Sequence, residues 1–159
     1  MSLPVAEHRY DAVFQAPVGT LGIRLQGHQI KQLTWLSSKV TIGHRESRLL
    51  RTIQKVLHDY FTAARDFPSL PLAPDGTEFQ ARVWDALRKI PSGEVITYGQ
   101  LARHLNTSSR AIGQACRTNP IAVLIPCHRV VAVNGPGGYM GKAEKTDIKQ
   151  WLLAHEDHG

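Results

Sequence analysis

Cysteine is scarce in this 159-residue chain: there are two, Cys116 and Cys127, and no Cys-x-x-Cys pair. Two cysteines are too few for a disulfide framework, and without paired spacing they outline no zinc site, so a reduced compartment, no metal and no cofactor are expected. No stretch approaches the ~18 consecutive apolar residues of a membrane helix, and the first residues show no basic segment followed by an apolar one, the mark of a secretory signal. The expected location is therefore the cytoplasm, or the nucleus in a eukaryote, with no membrane partner. Internal repeats and low-complexity tracts are missing as well, which leaves a globular chain.

Acid is unevenly missing. The net charge is +6, a total that favours polyanionic partners without establishing one. Residues 95–142 contain no Asp or Glu, yet Arg103, Arg110, Arg117, Arg129 and Lys142 fall among them. That segment is expected to form a phosphate-facing surface.

The length allows one large or two small domains. Leu21, Ile23 and Leu25 alternate with Gly22 and Arg24, and Gln26-Gly27-His28 offers a turn before Ile30, a pattern that predicts a hairpin or small antiparallel sheet. Leu49, Leu50, Ile53, Val56, Leu57, Tyr60 and Phe61 recur at helical spacing and predict an amphipathic helix over 46–64. Pro68, Pro71 and Pro74 then interrupt all periodicity, which places a boundary between a supporting unit, 1–70, and a second unit, 71–159.

In the second unit Thr77 and Gln80 form a capping box ahead of the stripe Phe79, Val83, Trp84, Leu87 and Ile90, which Pro91 and Gly93 end. Thr97 and Gln100 form another, opening a short helix that Asn106-Thr107-Ser108 breaks before a helix over 109–117. Two short helices across such a turn resemble a helix-turn-helix. The apolar run 121–125 suits a buried strand stopped by Pro126, residues 130–133 a returning strand, and 134–141 a glycine-rich loop before a final helix carrying Ile148, Trp151, Leu152 and His155. The fold class expected is α+β: a sheet-plus-helix unit followed by a mainly helical one.

Cys127 stands between Pro126 and His128 in the least acidic part of the chain, where neighbouring positive charge favours a thiolate. By itself the Cys-His pair fits a buried structural cysteine as well. Adjacent residues of a regular strand face opposite ways, so the two cooperate only if the backbone departs from a strand there.

The longer motif is more specific. Ile125-Pro126-Cys127-His128-Arg129-Val130-Val131 resembles the active-site signature of the O6-alkylguanine-DNA alkyltransferases. Gly76-Thr77-x-Phe79-Gln80, Val83-Trp84, Ile90-Pro91-x-Gly93-Glu94, Tyr98-Gly99-Gln100-Leu101-Ala102 and Asn119-Pro120 follow in the family's order, and Ala16-Pro17-Val18-Gly19-Thr20-Leu21 is similar to its opening segment. The resemblance implies a ribonuclease-H-like first unit and a winged helix-turn-helix in the second. It implies a monomer, cooperative on DNA or not, that binds double-stranded DNA in the minor groove. There it flips out an O6-alkylguanine, with O4-alkylthymine as a second candidate, and transfers the alkyl group irreversibly to Cys127.

By the same resemblance, His128 acts through a water on the Cys127 thiol and Glu156 orients His128. Tyr98 crowds the phosphate beside the target nucleotide, Asn119 braces the active-site backbone, and Arg110 fills the space of the flipped base. Ser109, Ala111, Gly113 and Arg129 join the DNA-binding set, and Pro126, Val130, Gly138, Tyr139 and Met140 the substrate pocket. Each has an ordinary alternative: a core tyrosine for Tyr98, a helix C-cap for Asn119, a plain phosphate contact for Arg110, tight helix packing for the small residues, and a solvated charge for Glu156. Met140 and Lys142 depart from the family, which commonly carries a small residue and a glycine there. Cys116 shares a helical face with Ile112 and is expected in the core. On the residues alone, a helix-turn-helix regulator and a cysteine hydrolase using Cys127 and His128 stay open. Relatives that bind lesions without reacting typically have tryptophan where Cys127 stands.

Overall fold

A computed structural model describes residues 9–37, 41–42, 47–141 and 145–158. Three strands, β2 (Ala12–Ala16), β3 (Gly19–Gln26) and β4 (Gln29–Trp35), form an antiparallel sheet in that order. Two two-residue strands, β1 (Arg9–Tyr10) and β5 (Thr41–Ile42), pair beside it in parallel. The predicted hairpin is present, turning at Gly27, whose φ of +61° is one that glycine adopts without a Cβ clash. A register shift between Arg24 and Leu25 changes the phase of β4, so that Ile30, Leu33 and Trp35 all reach the core.

Helix α1 (Arg48–Ala63) lies within the predicted 46–64, capped by the Ser47 side chain on the Leu50 N–H; Glu46 lies outside the described residues. Its buried stripe, Leu50, Ile53, Leu57, Tyr60 and Phe61, covers the sheet, with Phe61 stacked on Phe14 and edge-on to Trp35.

The proline-rich connection does not leave the core. Leu72 and Ile121 each form a bridge to β4, at Ile30 and Leu33, so both segments border the sheet. One buried cluster runs continuously from β3 and β4 through α1 to Trp84, Ile112, Ile125 and Leu152.

Both capping boxes form, at α2 (Glu78–Leu87) and α3 (Tyr98–Leu105), and α4 (Ser109–Arg117) follows the turn at Asn106, whose φ is +56°. Helix α2 ends before Ile90, as the approach to Pro91 requires. The chain ends in α5 (Thr146–His158).

Residues 121–125 are not the strand predicted. Beyond the bridge at Ile121 the backbone turns: the Leu124 N–H donates to the Ala122 carbonyl across Val123, whose φ is +69°, a strained conformation for a β-branched residue. The side chain of Asn119 holds that turn, accepting the Ile121 N–H and donating to the Ile125 carbonyl, both at 2.9 Å. Only Val130 and Val131 of the predicted returning strand are extended; they form β7 (Val130–Val131), parallel to β6 (Ile96–Thr97). Val133 is fully exposed.

A Cβ added at Gly76 would lie 2.6 Å from the Trp84 ring and 2.8 Å from Gln80 Oε1. Gly76→Ala should lower stability by about 1–3 kcal/mol, as overpacking does, measured by urea denaturation.

Candidate active site

Cys127, His128 and Arg129 form a single 3-10 turn between Pro126 and β7, the departure from a strand that cooperation between neighbours requires. All three side chains are buried, with His128 at 0% and Cys127 at 3% exposure.

The turn converges on the carboxylate of Glu156 from α5. Oε2 lies 2.6 Å from His128 Nε2 and accepts from Tyr60 Oη at 2.6 Å and an Arg129 Nη2 at 2.9 Å, while Oε1 accepts from Arg129 Nε at 2.9 Å. Four donors fill an ionised carboxylate's acceptor capacity. Burial pulls the Glu156 carboxyl up, but the hydrogen bonds and charge of His128 and Arg129 outweigh it and hold it well below the usual carboxylate range. The solvated-charge alternative for Glu156 therefore fails.

His128 is neutral. Burial, with smaller contributions from the charges of Arg129 and Lys149, lowers its pKa against the hydrogen bond and charge of Glu156, which raise it. An ionised carboxylate only accepts, so Nε2 carries the proton and Nδ1 has the free lone pair. Nδ1 is buried and without a partner among the described residues.

Cys127 departs from expectation in one respect: it is not held as a thiolate by surrounding positive charge. Burial dominates and pushes the thiol up, against smaller lowering effects from Asn119 and Lys149. A buried thiol of this kind needs a base, and His128 is the neighbouring one.

Arg129 is the clearest correction. Expected on the DNA-facing surface, it is 2% exposed, with its guanidinium on Glu156, a third contact to the Ile90 carbonyl and Asp66 3.7 Å away. Buried in that network it has no charge to offer a phosphate. Lys142, from the same basic stretch, lies outside the described residues.

The other DNA-binding candidates gather on α4 and its start. Ser109 and Arg110 are exposed, as are Arg103 and Arg117. A Cβ at Gly113 would meet nothing within 4 Å, so no neighbouring element demands glycine there. Ala111 is half-buried, and Ala115 faces inward, its carbonyl accepting the Trp84 indole N–H.

A cavity of about 460 Å³ opens beside this helix, lined by Tyr98, Arg110, Gly113, Cys116, Gly138 and Met140 among others. Cys116, though 8% exposed and in the core as expected, also borders it. Tyr98 is half-buried, and burial pushes its hydroxyl up to about 12. Tyr139 is buried behind the cavity, its hydroxyl accepting the Trp35 indole N–H at 2.9 Å while its own O–H remains a donor. Pro126 and Val130 do not reach this cavity; Pro126 lines a larger one, about 610 Å³, on the other side of the turn with Asp66, Arg88 and Arg129. Among the described residues no group of three His, Cys, Asp or Glu side chains could hold a metal ion.

Sequence reasoning missed three members of the site. Tyr60 falls on the predicted helix stripe, and Arg129 in the expected DNA-facing set. Lys149 drew no notice, yet it is fully buried and donates to the carbonyls of Val130 at 2.7 Å and Gly138 at 2.9 Å, tying the cavity loop to the strand after the cysteine. The spacing Lys149, Leu152, Glu156 places the lysine on the helix face that carries Glu156, and that signal was available.

Residues 78–158 match the family described as 6-O-methylguanine DNA methyltransferase, DNA binding domain. A methylated-DNA–protein-cysteine methyltransferase of Methanosarcina acetivorans is 37% identical over 154 residues, 92% of this chain and 97% of that protein. The constitutive protein of that name in Bacillus subtilis is 36% identical over 91% of this chain and 93% of its own length. Among solved structures, the Mycobacterium tuberculosis O6-methylguanine methyltransferase superposes with a TM-score of 0.81 at 30% identity, covering 94% of this chain and 92% of that one. The protein of that organism in complex with DNA gives 0.80 at 31% identity, with 94% and 92% covered.

Removing the Glu156 charge leaves the buried guanidinium with Asp66, 3.7 Å away, as its remaining carboxylate partner, so Glu156→Gln should cost about 3–5 kcal/mol, against about 1.5–3 kcal/mol for Tyr60→Phe, which loses one hydrogen bond to a charged group. The site also predicts acid sensitivity. Both folded pKa values lie below their unfolded ones, so the unfolded chain takes up protons first. The His128 contribution erodes as pH falls below about 6.5 and the Glu156 contribution below about 4.3. Urea unfolding across pH should show the earlier decline in the wild type and its loss in His128→Gln.

Proposed function

The chain belongs to the 6-O-methylguanine DNA methyltransferase family, and we propose that Cys127 is the residue on which its activity, the direct reversal of alkylation damage in DNA, is carried out. The observation that carries this assignment is a buried thiol beside a neutral histidine, whose proton is fixed on Nε2 by a fully hydrogen-bonded carboxylate.

In this reading a water relays the Cys127 proton to His128 Nδ1. The thiolate Sγ then attacks the alkyl carbon of O6-alkylguanine, forming the S–C bond as the C–O6 bond breaks and its electron pair leaves on guanine. The proton given up by the thiol is balanced by the one guanine takes up. A thioether is stable, so each molecule acts once. Glu156 stabilises the imidazolium that forms transiently, as the third member of a nucleophile–base–orienter set does.

The DNA side rests on the charge and shape of α3 and α4, which we read as a helix-turn-helix with β6 and β7 as its wing. The O6 atom lies inside the stacked duplex, so a buried thiol reaches it only if the nucleotide is extruded. Exposed Arg110, at the start of α4 and on the cavity wall, is assigned the vacated space; Ser109, Ala111 and Gly113 the close approach to the backbone; Tyr98 the neighbouring phosphate. Gly138, Met140 and Tyr139 would receive the base. The segment 1–70, read as a ribonuclease-H-like unit, supports the second unit through Tyr60 on Glu156 and Trp35 on Tyr139.

Incubation with an oligonucleotide carrying O6-methylguanine should give one methyl group per protein, mapped by mass spectrometry to Cys127, and none in Cys127→Ala. A methyl group on another residue, or catalytic turnover without protein labelling, would overturn the assignment. Arg110→Ala should slow repair of duplex DNA by about tenfold or more, given the few kcal/mol that extrusion requires, and leave reaction with free O6-methylguanine base unchanged.

A further inference from the structure

Met140 closes the thiol. Its Sδ lies 3.6 Å from Cys127 Sγ, and while Met140 lines the 460 Å³ cavity, Cys127 does not. Met140 is thus a residue of the cavity wall whose thioether lies directly against the nucleophile.

The backbone around Met140 is pinned, so the closure belongs to the side chain. Gly138 is tied to Lys149 through its carbonyl, and Tyr139 to Trp35 through its hydroxyl. A Cβ added at Gly141 would come within 2.7 Å of Arg117 Cγ, so the Arg117 side chain lies close over the loop there. Met140 itself sits at φ +53°, a conformation glycine holds with less strain. The chain places there an unbranched side chain with three rotatable bonds, one that turns aside at little cost.

We propose that Met140 is a gate over Cys127, shut in the free protein and swung aside when a nucleotide enters the cavity, which shields a single-use thiol from small electrophiles in solution. This rests on Cys127 being the alkyl acceptor for its purpose, but the gate is measurable without any alkyl transfer from DNA.

The test is the rate at which iodoacetamide alkylates Cys127 in the DNA-free protein, across a pH series, in the wild type, Met140→Ala and Met140→Leu. Iodide leaves as the S–C bond forms, and mass mapping separates Cys127 from Cys116. If the open form is a minor state at or below about 10%, Met140→Ala should raise the high-pH plateau at Cys127 by about tenfold or more. Met140→Leu, which preserves the bulk, should stay near the wild type, and Cys116 should stay slow in all three. An unchanged plateau in Met140→Ala overturns the gate. So does acceleration shared with Cys116, which reports loosened packing, or a shift in the midpoint alone, which reports a change in thiol acidity. Failure of methyl transfer from DNA with a raised plateau would instead overturn the functional reading and leave the gate standing.

Discussion

The carboxylate of Glu156 is the interaction on which the rest of the structure depends. A buried negative charge is costly unless its partners satisfy it completely, and here four hydrogen bonds do so from two separate parts of the chain: Tyr60 on α1, and His128 and Arg129 on the 3-10 turn. Arg129 neutralises the charge. Burial, together with the charges of Arg129 and Lys149, outweighs the pull of the carboxylate, so His128 stays an uncharged imidazole with one lone pair available.

The surrounding fold holds this cluster at a fixed place. Leu33 of the sheet bridges Ile121, Asn119 clamps the turn that follows, and the strained Val123 lies within it. Lys149 binds the cavity loop to β7 from the other side. The sheet and α1 thus reach the site through Trp35, Leu33 and Tyr60, within a single continuous core.

Local patterns carried most of what was legible in the sequence. The two capping boxes, the hairpin turn and the helical stripe of α1 are short-range signals, and each element formed where its signal stood. The Pro126-Cys127-His128 motif likewise marked the departure from a strand, which is a 3-10 turn over Cys127, His128 and Arg129. Long-range satisfaction was not legible. An apolar run such as 121–125 reads as a strand because burial on all sides gives a strand and a buried turn the same composition; only the Asn119 contacts distinguish them. Arg129 and Lys149 escape a sequence reading because a lone cation is normally solvated, and the groups that bury them here, Glu156 and the carbonyls of Val130 and Gly138, lie 11 or more residues away. The thiol was misjudged for a related reason: positive charge along a sequence does not report the desolvation that decides its protonation.

The central claim is that burial keeps His128 neutral while Glu156 holds its proton on Nε2, leaving Nδ1 as the base for a protonated Cys127. Nitrogen-15 NMR of histidine-labelled protein, with His128 assigned by comparison with His128→Gln, reads both properties at once. The account predicts at neutral pH a protonated Nε2 and an unprotonated Nδ1 at His128, unchanged until the pH falls well below 6.5. An imidazolium at neutral pH, or the opposite tautomer, would contradict it.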